Sequence, residues 1–373
     1  MSRMADYWAA SGWDVTLVTL DSADSDFYPL DRRVRRVALG LAAYSATAVA
    51  AVVNNLARVR RLRAEILNHD PDVVISFVDC MNVLTLMATW RLSVAVIVSE
   101  RNDPRHHAIG PVWHRLRSRL YRRAKALVVQ SVAVRQWAEE IAPPSRVYVI
   151  PNPVSAVPPG ENEHDGIAVT KPFVVAMARL VPQKGIDLLI EAFARCAQTR
   201  AQWSLVILGE GAEREALTEQ VARLGVAQRV HLPGRLKTPA GVLRKAELFV
   251  LSSRHEGFPN ALLEAMCLGL PAISFDCPSG PDEIIRHGVD GVLVPPEDVA
   301  ALADAMGRLM DDEHERRRLG ERATQVAERF SMAKVMLQWE QVIREAVCHP
   351  QREPAIQPCT RRMSDGGVQR SHD

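Results

Sequence analysis

The sequence predicts an α/β protein of two Rossmann-like, doubly wound parallel-sheet domains that face each other across a cleft. Three observations predict it. Short apolar runs of strand length alternate with helix-periodic runs from one end of the chain to the other. Those short runs lack polar alternation, as strands covered on both faces do. One segment, "IPNPVSAVPPGENEHDG" (150–166), concentrates Pro, Gly and polar residues, and the alternation starts afresh after it. At 373 residues the chain is long enough for two cores.

The elements follow in order. The chain enters on a helix, "SRMADYWAASG", closing at Gly12, where a doubly wound domain is expected to open on a strand and a glycine-rich turn. The predicted strands of the first domain, residues 1–155, are "WDVTLVTL" (13–20), "DVVISFV" (72–78), "VAVIVSE" (94–100), "ALVVQS" (126–131) and "RVYVIPN" (146–152). "LGLAAYSATAVAAVV" (39–53) is too short and too rich in Ala for a membrane span and is read as a core helix or helix–loop. The second domain, 156–330, draws its strands from "FVVAMA" (173–178), "SLVILG" (204–209), "RVHLPG" (229–234), "LFVLSS" (248–253), "PAISF" (271–275) and "GVLVPP" (291–296). "MAKVMLQWEQVIREAV" (332–347) reads as one amphipathic helix with Ser331 at its N-cap, and 348–373, full of breakers, as a disordered tail.

Composition narrows the function classes. With 47% hydrophobic and 24% charged residues the chain is of soluble globular type. The N-terminus shows no basic segment followed by an apolar one, so no secretory signal is read there. Cysteines 80, 196, 267, 277, 348 and 359 stand singly, which argues against a zinc site and a disulfide framework and points to a reducing cytoplasm. Residues 1–155 hold 20 Lys+Arg against 14 Asp+Glu, leaving 26 against 30 in the rest. The excess gathers in "RVRRLR" (58–63) and "WHRLRSRLYRRAK" (113–125); in the latter Trp113, Leu116, Leu120 and Ala124 form an inward stripe and the arginines are expected to face out. These clusters read either as solvated helix faces or as a patch for anionic lipid headgroups or a phosphorylated acceptor. No nucleic-acid motif accompanies them, so no nucleic-acid partner is expected.

The chemistry concentrates at two turns of the second domain. In "FVLSSRHEGFPNALLEAMCLG" a buried strand ends near Ser253, the chain turns through Glu256 and Gly257, and Pro259 suits the first turn of the next helix. A helix N-terminus at the carboxyl edge of a parallel sheet offers unpaired N–H groups and a positive dipole end, and Gly257 allows close backbone approach. Glu256 in the turn and Glu264 inside the helix can accept bonds from hydroxyls on either side of that anion cradle. A nucleotide-sugar has this layout: ribose, diphosphate, sugar. Alone, the same stretch reads more readily as an ordinary capped, half-exposed helix. "MARLVPQKGIDLLIEAF" (177–193) is the other turn. Arg179 and Lys184 straddle it, where their charges can neutralise a departing diphosphate, and Gly185 opens the helix. In isolation they read equally as two solvated surface cations; both loops at one sheet edge favour the joint site.

In order and spacing, "ARLVPQKGID", "LVILGEGAEREAL", "VHLPGR", "LSSRHEGFPNALLEAMCLGLPAI" and "CPSGPDEIIRHGVDGVLVPP" make the second half resemble the family 4 glycosyltransferases, retaining enzymes of the GT-B fold. The ordered set covers roughly 177–296, and weaker similarity extends through "GWDVTLVTL", "PDVVISF" and "VVQSVAVRQW" to "VIPNPV". The resemblance implies that Arg179 and Lys184 hold the diphosphate, together with the backbone of Gly257, Phe258, Pro259 and Asn260. It implies that Glu264 binds ribose and Glu256 contacts the transferred sugar. Arg179, Lys184 and Glu256 are thus the expected catalytic residues, acting by charge stabilisation and positioning without a nucleophile. No bound metal is implied, and no Asp-x-Asp motif occurs at the site. Family members usually open with a strand and a glycine-rich loop that reaches the donor, and this sequence starts past that point. Where many members carry a histidine after the strand matching "VAVIVSE", this sequence has "SERNDPRHH" (99–107). Glu100, Arg101 and Asn102 are expected to face the cleft and bind acceptor or sugar, with loop capping as the alternative. The helix 332–347 is expected to cross back to the first domain.

"GEGAERE" (209–215) lacks the third glycine of a dinucleotide fingerprint and reads as a tight strand-to-helix turn. A dehydrogenase is therefore disfavoured. The expected activity is sugar transfer from a UDP-sugar to a glycan acceptor, in lipid-linked oligosaccharide, exopolysaccharide or cell-envelope polysaccharide synthesis, at the cytoplasmic membrane face. The alternatives are an inactive, binding-only subunit, or a phosphorylase or sugar-nucleotide synthase of the same fold.

Overall fold

The computed structural model describes residues 1–22, 24, 29–42, 46–154 and 172–348. Most of the Pro-rich linker and the whole of the expected tail beyond Cys348 lie outside the described residues.

In the second domain six parallel strands form one sheet. They are β7 (Phe173–Met177), β8 (Ser204–Leu208), β9 (Val230–Gly234), β10 (Leu248–Leu251), β11 (Ala272–Phe275) and β12 (Val292–Val294), with β1 to β6 preceding them in the first domain. The order across the sheet is β12-β11-β10-β7-β8-β9, so the winding reverses between β10 and β7. Alternate residues of each strand enter opposite cores. Val174, Ala176, Leu205, Ile207 and Val250 join the helices Ile186–Cys196 and Val299–Asp311 on one face. Phe173, Val175, Val206, Leu208 and Phe249 join the helix Asn260–Cys267 on the other. Burial on both faces is why these runs are continuously apolar.

The first domain departs from the expected single sheet. β3 (Val73–Phe77), β4 (Ala95–Ser99), β5 (Ala126–Val129) and β6 (Val147–Val149) form a four-stranded parallel sheet. β1 (Thr16–Thr19) pairs only with β2 (Arg35–Ala38), a strand the arginine-rich "DRRVRRVALG" did not announce.

Two further readings are corrected. For 39–53 the core-helix alternative fails and the helix–loop one stands: the described residues before Ala48 are not helical, the helix Ala48–His69 begins within the stretch, and Val49, Val52 and Val53 stand 75%, 60% and 58% exposed. Nor do all arginines of 113–125 face out. Arg117 is buried, its guanidinium over the Trp137 ring and 3.8 Å from the Glu100 carboxylate.

The helix Met332–Cys348 packs on the first domain although it follows the second in sequence. Its Met336, Trp339 and Ile343 meet Ile97, Val128 and Ile150, and Trp8 stands edge-on to Trp339 at 6.5 Å. Ser331 Oγ accepts from the Lys334 N–H at 3.4 Å, at the start of this helix. Because Trp339 is fully enclosed, Trp339→Ala should destabilise the protein by about 3–5 kcal/mol in denaturant unfolding; a loss near zero would contradict this packing.

Candidate active site

The strand reversal places the ends of β7 and β10 side by side, the position where open parallel sheets bind ligands. Gly185 makes the loops after these strands meet. Its φ is +57°, and a Cβ there would lie 2.0 Å from the Ser252 carbonyl oxygen. Only glycine fits both demands.

Lys184 follows β7, and its ammonium donates to Glu256 Oε1 at 2.6 Å across to the loop after β10. Ser253 Oγ donates to the same oxygen at 2.6 Å. Glu256 is buried and Lys184 largely so, which makes this a hydrogen-bonded, partly desolvated pair. Arg179, also after β7, is exposed and forms no ion pair among the described residues. It can meet an incoming anion without breaking a contact.

The helix Asn260–Cys267 starts beside the pair, and no side chain caps it. Its first N–H groups are free to bind an anion. Phe258 is buried against Phe330 and fixes the turn. Glu264, one turn inside, has no hydrogen-bonded partner among the described residues; burial raises its carboxyl pKa, and Arg3 of the first domain partly offsets this.

The first domain closes over this edge. A Cβ on Gly257 would lie 2.3 Å from the Arg101 carbonyl oxygen and 3.2 Å from the Asn102 Cα. Asn152 donates to Asn260 Oδ1 at 2.7 Å, Ser279 Oγ to Asp103 Oδ2 at 2.6 Å, and the Val132 N–H to Glu283 Oε1 at 2.7 Å. The rings of His106 and His255 stack across the same boundary, centroids 5.7 Å apart. Burial first, then His106, lowers the His255 pKa.

Arg179, Lys184, Glu256, Gly257, Phe258, Pro259, Asn260 and Glu264 thus gather at one sheet edge, with Arg101 and Asn102 opposite. Arg101 lies over the Phe77 ring and donates to Asn152 Oδ1 at 2.9 Å, and burial lowers its pKa to about 10. Glu100 does not face the cleft. It is 1% exposed and points into the first domain, where Tyr121 donates to Oε2 at 2.9 Å. Ser253, Asp103, Asn152 and Ser279 lie within stretches singled out in the sequence but were given no role there, and only the folded loops bring them to the site. Among the described residues no group of three or more His, Cys, Asp or Glu could hold a metal.

Residues 161–326 match the family described as glycosyl transferases group 1, and residues 1–153 match the glycosyl transferase 4-like domain. The chain belongs to the family 4 glycosyltransferases. An exopolysaccharide phosphotransferase of Streptomyces coelicolor is 38% identical over 256 residues, 66% of this chain but 26% of that protein. An undecaprenol-linked-glycan alpha-1,4-N-acetyl-D-galactosaminyltransferase of Campylobacter jejuni is 26% identical over 89% of this chain and 90% of its own length. Sucrose-phosphate synthase of Thermosynechococcus elongatus shares the fold with a TM-score of 0.78 at 20% identity, covering 92% of this chain and 91% of that one. Anabaena HepE, solved with UDP, does so at 0.67 and 21% identity, covering 83% and 85%. The glycosyltransferase therefore has the GT-B architecture.

Glu100 supplies a pH test of this geometry. Burial pushes its carboxyl from 4.5 up to about 7 against the opposing pull of Arg117. A pKa raised on folding means the folded state holds the proton more tightly. The stabilisation is complete below about 4.5 and is lost as pH rises through about 7. Between pH 5 and pH 8 the unfolding free energy of the glycosyltransferase should fall by about 2–3 kcal/mol more than that of Glu100→Gln. Parallel urea-denaturation profiles would contradict the buried placement.

Proposed function

We propose that this glycosyltransferase moves a sugar from a nucleoside-diphosphate sugar, UDP-linked, to a glycan or lipid-linked acceptor with retention of anomeric configuration. The observation that carries the reading is the meeting of Lys184, Glu256 and an uncapped helix N-terminus at the strand reversal, with Arg179 exposed beside them. Bond breaking places negative charge on the departing diphosphate. Arg179, Lys184 and the N–H groups at Asn260 are arranged to stabilise that charge. This cationic set takes the role a metal fills elsewhere, and the proposal includes turnover without a divalent ion. Glu264 accepts from the ribose hydroxyls, and Glu256 orients Lys184 while its second oxygen meets the transferred sugar. Retention follows from attack on the face the leaving group vacates, which needs positioning and charge stabilisation and no enzymic nucleophile.

Solved relatives with bound UDP, Anabaena HepE and the Staphylococcus aureus protein TarM, support the nucleotide choice. The galactosaminyltransferase named for an undecaprenol-linked substrate supports a lipid-linked acceptor. No helix among the described residues is long and apolar enough to cross a membrane. The exposed Val49, Val52, Val53 and Leu56, followed on the same helix by exposed Arg60 and Arg61, support peripheral contact with an anionic bilayer. Free Cys80, Cys196, Cys267, Cys277 and Cys348 support a reducing, cytoplasmic setting.

Lys184→Ala should lower kcat/KM by about 100- to 1000-fold, the size expected when one charge-stabilising donor is lost, with an unchanged circular dichroism spectrum. Wild-type turnover in this variant would overturn the assignment. UDP binding by the native chain with no turnover of any donor would favour the binding-only alternative.

A further inference from the structure

The stack of His106 on His255 differs in kind from the hydrogen bonds around it. His106 lies in the loop that leaves β4; His255 lies in the loop that leaves β10, directly before Glu256 and Gly257. Their planes are 25° apart, so the two rings meet nearly face to face across the domain boundary. Imidazole is the side chain whose charge changes in the physiological range, and here two of them touch where the molecule closes. The surrounding charges decide what a proton does there. On the first-domain side Asp103 is already engaged. It accepts from Arg105 Nε at 3.0 Å, from Arg105 Nη2 at 2.8 Å, from the Arg105 backbone N–H at 3.0 Å and from Ser279 Oγ. What remains of its charge serves His106, whose Nδ1 stands 3.4 Å from Asp103 Oδ2. His107 turns instead to Asp79 Oδ2 at 3.2 Å. On the second-domain side Lys184 and Ser253 both donate to Glu256, and Arg254 donates to Asp187 and Glu297. His255 thus has cations near it and, among the described residues, no acid committed to it. Burial first and then His106 lower its pKa, with Lys184 adding to them and Glu256 and Asp103 opposing.

We propose that this stack is a proton-sensitive latch: neutral His255 holds the first domain closed over the edge shared by β7 and β10, and protonated His255 lets it open. One proton on His106 is tolerated, because Asp103 pairs with it and a cation stacks favourably on a neutral ring. A second proton sets two imidazolium rings 5.7 Å apart, with Lys184 close by. In the open state His255 faces water and titrates near the ordinary imidazole value of about 6.5. The closed state binds that proton less tightly than the open one. Closure is therefore complete above about 6.5 and is lost as pH falls below it. The other ties across the boundary, Asn152 to Asn260, Ser279 to Asp103 and Val132 to Glu283, are hydrogen bonds that water can replace at small net cost. Release of the stack moves the loop of Arg101 and Asn102 away from Gly257, and so uncovers Lys184 and Glu256. A histidine pair that flips an interface on acidification needs only this arrangement: two rings in contact, and the acids around them already taken.

The latch depends on the domain contact alone and not on sugar transfer, so its test reads shape and no activity. Small-angle X-ray scattering of the 373-residue chain is recorded at about pH 8 and about pH 5.5. Two variants are measured beside it: His255→Phe, which keeps a stacked ring that cannot titrate, and His255→Lys, which carries the charge at both pH values. The native radius of gyration is expected to rise on acidification by roughly 5% of the ~21 Å typical of a compact chain this long. His255→Phe should keep the smaller radius at both pH values, and His255→Lys the larger. If circular dichroism finds His255→Phe unfolded at the higher pH, His255→Gln takes its place with the same expectation. An unchanged radius in the native chain, or an equal expansion in the native chain and the neutral variant, would overturn the latch. So would a folded His255→Lys chain as compact as the native one at the higher pH.

Discussion

The ion pair between Lys184 and Glu256 exists because two strands far apart in sequence lie next to each other where the winding of the second sheet reverses. β7 and β10 are neighbours, so the loops leaving their carboxyl ends share one edge. Gly185 lets the first loop pass against the Ser252 carbonyl, and Ser253 holds Glu256 from behind. The uncapped helix Asn260–Cys267 begins at the same edge. A site built this way fixes charge and N–H donors on a rigid sheet before a ligand arrives, which is where electrostatic stabilisation is most effective. The pair also divides the labour: Glu256 restrains Lys184, while Arg179 stays available.

Closure of the first domain is a consequence of the same edge. Gly257 leaves room for the Arg101 backbone, and the bonds from Asn152 and Ser279 tie loops of opposite domains. Behind those loops the first domain is stiffened by its interior. Glu100 is held by Tyr121, which accepts in turn from Asn82 Nδ2 at 2.9 Å, and Arg117 lies against Trp137. The helix around Trp339 covers the other face of β4 and β5. Residues with no contact to the cleft thus set where Arg101 and Asn102 stand within it.

Much of the second domain was legible because its strands are apolar on both faces and its loops carry Gly, Pro and charge at fixed offsets. The six strands and the two charged turns beside the reversal followed from that pattern, and the family resemblance added Phe258 and Asn260. The first domain was harder for physical reasons. β2 is written in arginines because it is a half-exposed edge of a small ladder. Arg117 lies four residues after Trp113 and three before Leu120, inside the apolar stripe, so helical position buried a residue whose type suggested solvent. Glu100 directly follows the fully buried β4, and nothing in its neighbours distinguished an inward carboxylate from one aimed at the cleft. Contacts such as Ser279 with Asp103 join residues 176 apart and leave no local trace.

The central claim is that the edge shared by β7 and β10 binds a nucleoside diphosphate through Arg179 and Lys184. Calorimetric titration of UDP into the native chain and into the Arg179→Ala/Lys184→Ala double variant tests it most directly. The account predicts saturable binding to the native chain and none to the folded double variant. Equal binding to both, or none to either with both proteins folded, would contradict it.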